Sequence, residues 1–131
     1  MEMGKRTQII LLTHGAWGKE LIVSAEMIIG KISLCSALEL MPEDGLVNYM
    51  KRIEEIMGQS EEILLLSDLY GGTPANIASV YAKKRRNVSA LSGLNLNMLI
   101  SAEKLRKKYS GNELVEAIKK EVIETCKNLS E

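Results

Sequence analysis

The stretch Gln8-Ile9-Ile10-Leu11-Leu12-Thr13-His14-Gly15 decides the fold. Four consecutive large apolar residues leave no polar side for water, the pattern of a strand buried on both faces. The run stops at Thr13-His14-Gly15, where polar and flexible residues take over. Comparable runs span 32–40, 62–67 and 87–91. Between them apolar residues return at helical spacing. Leu21/Ile22, Ala25 and Ile28/Ile29 run up to Gly30, and Leu46, Met50, Ile53 and Met57 run up to Gly58. Both glycines suit a left-handed helix cap. Ile77, Val80 and Tyr81 continue the alternation, then Met98, Ala102 and Leu105. A last helix holds Leu114/Val115, Ile118 and Val122, with Asn112 as its expected cap. Strands alternating with helices predict an α/β class, a single doubly wound, mostly parallel sheet with helices on both faces. The reading leaves Thr125 to Ser130 open between a continued helix and an edge strand.

The 131 residues fit one domain, 1–131, and no linker, repeat or low-complexity segment divides them. Phe is absent and aromatics make up 4%, so Ile, Leu, Val, Met and Ala are expected to fill the core, and a base-stacking platform has no material. Seventeen basic residues balance seventeen acidic ones, which excludes the long-range field of a dedicated nucleic-acid binder. Cys35 and Cys126 form neither a C-x-x-C motif nor a disulfide framework, so a reducing compartment is expected. Lys5 and Arg6 precede the first apolar run as in a signal peptide, but the run is shorter than the roughly 7 residues such a core needs. No stretch approaches the roughly 20 apolar residues that span a bilayer. A soluble, cytoplasmic protein is the expectation.

Charge sums to zero but is not evenly spread. Residues 39–68 carry eight acids and two bases, and residues 83–108 carry eight bases and one acid. Two solvated helix faces of opposite sign, or a partner-docking surface, both account for this.

In a doubly wound sheet, ligands sit beyond the carboxyl ends of the strands, where strand order reverses. His14, the sole histidine, ends the first strand, and Gly15 after it lets the backbone turn sharply. One histidine with no cysteine nearby does not make a zinc-type site, so no metal is expected. Asp68 ends the third strand. In the flavodoxin-like order 2-1-3-4 the two residues meet, and an aspartate that holds one imidazole nitrogen leaves the other free as a nucleophile. Asp68 is otherwise a turn residue bonded to its own backbone. Gly71-Gly72-Thr73-Pro74 offers a close backbone approach, an N-cap at Thr73 and proline at the first helical position, which together make an anion cradle. Neither G-x-x-x-x-G-K-[ST] nor G-x-G-x-x-G is present, so ATP and NAD have no fingerprint and no cofactor is expected. Asn95, after the fourth strand, shapes the rim of this crevice or simply caps the next helix. A nucleophilic histidine, an orienting carboxylate and an anion cradle suit phosphoryl transfer through a phosphohistidine, with other proteins as donor and acceptor.

Four collinear segments, 9–15, 24–30, 68–76 and 93–99, resemble the mannose-family IIA component of the bacterial phosphoenolpyruvate:sugar phosphotransferase system. The resemblance implies that His14 is phosphorylated by the carrier protein HPr and passes the group to a IIB component, with the membrane components IIC and IID engaged indirectly. It implies that Asp68 orients the ring, and that Gly71, Gly72 and Thr73 hold the phosphoryl oxygens. Thr13, Tyr70 and Asn95 would form the partner-facing rim. It further implies a homodimer that exchanges a C-terminal antiparallel edge strand, which would lie in the tail from Thr125. Asn97 stands where the family usually has Pro, and Tyr70 and Ala75 depart from the residues common in their loop. The alternative is a regulatory module of the same fold that senses phosphorylation without onward transfer.

Overall fold

Period-two alternation inside the first strand builds two cores at once. The computed structural model describes residues 6–131, and Lys5 lies outside them. In β1 (Gln8–His14), Ile9 and Leu11 face one side of the sheet while Ile10 and Leu12 face the other. In β3 (Ile63–Ser67), Leu64 and Leu66 join the first core, and Ile63 and Leu65 the second. With β2 (Cys35–Leu40) and β4 (Val88–Ser92) these strands form one sheet in the expected order β2-β1-β3-β4, every pair parallel. Helices α1 (Trp17–Ile29), α4 (Leu96–Leu105) and α5 (Gly111–Glu124) cover the first core, and α2 (Leu46–Met57) and α3 (Thr73–Lys84) cover the second. Among the described residues no helix is long and apolar enough to cross a membrane.

Local details differ from the sequence pattern, each for a packing reason. β2 begins at Cys35 rather than Ile32. Ile32 is buried under α4, but Leu34 sits at φ +51, which breaks the extended run. The apolar stripe of α2 is Tyr49, Ile53 and Met57, while Leu46 is exposed. A tyrosine can enter the core because its hydroxyl donates to the Leu38 carbonyl at 2.9 Å, leaving no polar atom orphaned. Tyr81 does the same toward Glu54 at 2.8 Å, so two tyrosines supplement the aliphatic core. On α1 the face against the sheet is made of Gly18, Ile22 and Ala25. A Cβ on Gly18 would stand 2.9 Å from that of Ala37. The last turn runs out from under cover, so Ile28 and Ile29 are exposed rather than core. Two caps also move: Gly72, not Thr73, precedes α3, and Ser110, not Asn112, precedes α5. Beyond Thr125 the tail is exposed and takes neither helix nor strand.

The basic stretch hides one residue that is no surface charge. Arg106 is buried, and its guanidinium donates to the carbonyls of Thr7 (2.7 Å), Leu34 (3.2 Å) and Ser33 while pairing with Glu103. It clamps the start of β1 to the turn before β2 and to α4, and it holds the carbonyl of Leu34, whose left-handed backbone a side chain rarely adopts. Burial pushes the Cys35 thiol, close to this clamp, up to about 12, so it stays an unreactive thiol. Replacing Arg106 by Met would take this donor from the Thr7 and Ser33 carbonyls and the buried partner from Glu103, while the Leu34 carbonyl keeps the Ile9 N–H. A loss of about 3–5 kcal/mol in urea unfolding is expected, and a loss under about 1 kcal/mol would show that solvent takes the guanidinium's place.

Candidate functional site

The site is built where β1 parts from β2 and β3. Leu12 pairs with Ser67 across β1 and β3, so the residues just beyond that pair, His14 and Asp68, leave the sheet side by side. Asp68 is fixed by its own backbone, its N–H donating to the Leu12 carbonyl (3.3 Å) and its carbonyl accepting from Gly93 (3.1 Å). Carboxylate oxygen Oδ2 accepts the main-chain N–H of His14 at 2.6 Å and lies 3.0 Å from Nδ1 of the same residue. The other oxygen, Oδ1, accepts the Leu69 N–H at 2.7 Å. Asp68 therefore serves as both a turn residue and a partner of the imidazole, one oxygen for each.

Partial burial pushes the Asp68 carboxyl upward. The hydrogen bonds from the His14 and Leu69 amides, together with the His14 ring, outweigh it and hold the group below its ordinary value of 3.8. An ionised carboxylate only accepts, so the proton between the two side chains sits on Nδ1 and the lone pair of the ring lies on Nε2. The His14 side chain is about half exposed, and its Nε2 edge points away from the carboxylate held on Nδ1.

Gly72 closes the other side of that edge. A Cβ built on it would stand 2.7 Å from His14 Cε1 and 3.4 Å from Nε2, so only glycine lets the loop come this near the ring. Gly71 reaches φ +88, and the Gly72 N–H donates back to the Leu69 carbonyl at 2.9 Å to close the turn. α3 starts directly afterward with Pro74 in its first turn. The amides of Thr73 and Ala75 have no acceptor within the helix, and the positive end of its dipole faces the same crevice. The Thr73 hydroxyl, freed from capping, stays available at this helix end.

Of the three expected rim residues two are exposed and one is buried. Tyr70 is exposed, and Asn95 is exposed while capping α4 through Oδ1, which accepts the Met98 N–H at 2.7 Å. Thr13 is fully buried, its hydroxyl donating to the Gly15 carbonyl at 2.7 Å, so it shapes the turn after the strand and presents nothing to a partner. A cavity of about 430 Å³ lies on the far side of the loop between α3 and β4, lined by Tyr70, Gly71, Asn76, Lys83 and Ser92, without reaching His14. Among the described residues no cluster of His, Cys, Asp and Glu is placed to hold a metal ion.

The family model described as PTS system fructose IIA component, EIIA-man, matches residues 8–119. The sorbose-specific EIIA component of Lacticaseibacillus casei is 27% identical over 126 residues, 95% of this chain and 91% of its own length. The mannose-specific EIIAB component of Escherichia coli (strain K12) is 24% identical over 95 residues, which are 70% of this chain but 29% of that protein. The crystal structure of a phosphotransferase system component EIIA from Streptococcus agalactiae superposes with a TM-score of 0.87 at 27% identity, covering 95% of this chain and 98% of that one.

Two outcomes test the geometry itself. Gly72 has φ −81, which alanine adopts freely, so Gly72→Ala should keep the melting temperature within a few degrees while shifting the His14 Cε1–H resonance in NMR spectra. An unmoved resonance would show that the loop yields instead of the ring. Because Asp68 is held below its unfolded value of 3.8, its bonds favour the folded state above that pH, and the benefit fades as pH falls through the lower folded value. The stability gap between the wild type and Asp68→Asn should therefore be constant near neutrality and shrink below roughly pH 4. A gap unchanged down to pH 2 would contradict the ionised pair.

Proposed function

The chain belongs to the EIIA-man family of phosphotransferase-system components, which act in sugar phosphotransfer, and on that premise we propose that it is a phosphoryl carrier charged on His14 by phospho-HPr and discharged to a IIB component. The observation that carries the reading is the Asp68 carboxylate on Nδ1, which leaves the Nε2 lone pair facing the start of α3 across Gly72. In the charging step the Nε2 lone pair forms a P–N bond as the donor's bond to phosphorus breaks, the leaving electron pair staying with the donor. The Nδ1 proton remains toward Asp68, whose charge offsets the positive charge growing on the ring. The amides of Thr73 and Ala75 and the Thr73 hydroxyl receive the phosphoryl oxygens, with Gly71 and Gly72 permitting the approach. Discharge to IIB is the same step reversed, and the membrane components IIC and IID are engaged only through IIB.

A relative named as an EIIAB component supports a IIB domain as the acceptor. A cytoplasmic homodimer completes the proposal. Its support is β4, which has a sheet neighbour on one side only, and the exposed tail after Thr125, which is free to add a strand to that edge.

Incubation with phosphoenolpyruvate, enzyme I and HPr should label the protein at an acid-labile, base-stable position, and His14→Ala should abolish the label. Asp68→Asn and Gly72→Ala should fold yet transfer on the order of 10- to 100-fold more slowly, the first by releasing the ring and the second by displacing it. Labelling that survives His14→Ala would refute the assignment. Onward transfer to a IIB domain separates a carrier from a phosphorylation sensor, which gives none.

A further inference from the structure

Helix α1 is apolar on more sides than the fold uses. Ala25 is buried against the sheet, with Leu21 and Ile22 packed beside it, and this is the core face. At 3.6 residues per turn, Val23 and Met27 stand about 160° around the helix from Ala25 and point away from the sheet. They are 50% and 82% exposed, and Ile28 beside them is 62% exposed. Apolar residues all round are the pattern of a helix covered on every side. Yet α1 packs only on β1, β2 and α4 among the described residues, and β2 is the edge of the sheet. A lone exposed Met needs no explanation, whereas an adjoining set on one helix face marks an interaction surface.

The charges at the two ends of this stripe indicate what covers it. Glu20 lies one turn before it, and Lys31 follows the end of the helix. Both are exposed, and neither has an ion pair among the described residues. Consider a second α1 laid antiparallel on the first, with the twofold axis between Ala25 and Glu26. Glu20 then faces Lys31 of the second copy, Val23 faces Ile28, and Ser24 faces Met27, each match occurring twice. Apolar meets apolar and acid meets base in a single operation, which is the self-complementarity an isologous contact requires. A parallel pair would instead set Glu20 on Glu20 and Lys31 on Lys31. The chain has a formal charge of zero, so two copies approach without net repulsion. Glu20 between Lys19 and Lys31 leaves too little positive charge to seat the stripe on an anionic bilayer.

We infer that the outer face of α1 is a self-association surface, on which a second copy of this chain docks antiparallel through Val23, Met27 and Ile28, with a Glu20–Lys31 pair closing each end. The contact does not depend on the carrier role. It lies at the β2 edge of the sheet, whereas an exchanged tail belongs to the β4 edge, so the two contacts are separate. Its centre is about 13 Å along α1 from Trp17, and His14 lies before that residue, so phosphorylation and self-association are compatible.

Sedimentation velocity on the full chain, over about 5 to 500 µM at low salt, reads the contact directly. Tail exchange at β4 sets only the starting size, and the step through α1 doubles it. Met27→Asp should weaken that step at least about tenfold, because it places two carboxylates in the apolar centre. Glu20→Lys and Lys31→Glu should each weaken it about fivefold, since either one alone sets like charges at both ends. Mixing these two variants should restore association, because in the mixed pair every new charge faces an opposite one, and the doubly swapped chain should behave as wild type. Compensation within one chain cannot do this, as the two positions are about 16 Å apart, beyond the roughly 10 Å screening length at 0.1 M salt. Glu55→Lys on α2 should change nothing, and all variants should melt within a few degrees of wild type. A particle size that Met27→Asp leaves unchanged, or a mixture that restores nothing, would overturn the inference. So would a Met27→Asp chain that loses binding to anionic vesicles but still self-associates. HPr-dependent labelling of His14 should persist in every α1 variant. A wild-type chain that shows the charge-swap pattern but takes no label would refute the carrier reading and leave the α1 contact standing.

Discussion

The structure depends on β1 having a parallel neighbour on each side. β1 is buried on both faces and bonded along both edges, and the crossover to β2 goes one way while the crossover to β3 goes the other. The loops after β1 and β3 therefore part, one leading to α1 and the other to α3 on opposite faces, and open a crevice at the end of β1. His14 stands at that end, and β3 ends one residue short of Asp68. No long-range motion is needed to assemble the pair, because the register Leu12 to Ser67 already aligns them.

The same economy appears in how the imidazole is held. A single oxygen of Asp68 takes the main-chain amide and the ring of His14, so the backbone that sets where the strand ends also sets which ring nitrogen is occupied. Gly72 confines the opposite edge by proximity alone. Orientation on one side and a close wall on the other restrict how the ring can turn.

At the far end of the sheet, Arg106 solves a different problem. The chain enters β1 and β2 through bends that expose carbonyls to a buried space, and one guanidinium fork satisfies them together. That end carries the stability of the strand starts and the basic runs of the surface, where Arg85 faces Glu54 and Lys107 faces Glu103. The His14–Asp68 pair lies at the other end. Net charge of zero thus describes a molecule whose two poles differ in kind.

Much of this was legible in the amino-acid order. Runs such as Ile9 to Leu12 announce buried parallel strands because period-two alternation with no polar side has few other uses. The glycines, proline and polar residues that end those runs mark the site, since each has a local conformational meaning. His14, Asp68 and the Gly71 to Thr73 loop could be picked out on those grounds. What one residue does across space could not. Arg106 looked like one more cation in a basic stretch, Tyr49 like a residue off the apolar stripe, and Thr13 like a rim residue beside a histidine. Their roles were set by the Thr7 and Ser33 carbonyls, the Leu38 carbonyl and the turn at Gly15. The sequence by itself determined which segments become strands and helices and which loops are chemically unusual, because those depend on neighbours within a few positions. Only the tertiary structure decided that Gly72 crowds the His14 ring and that one carboxylate oxygen of Asp68 holds both its amide and its Nδ1. Such distances arise from strand pairing and helix packing, which no local pattern encodes.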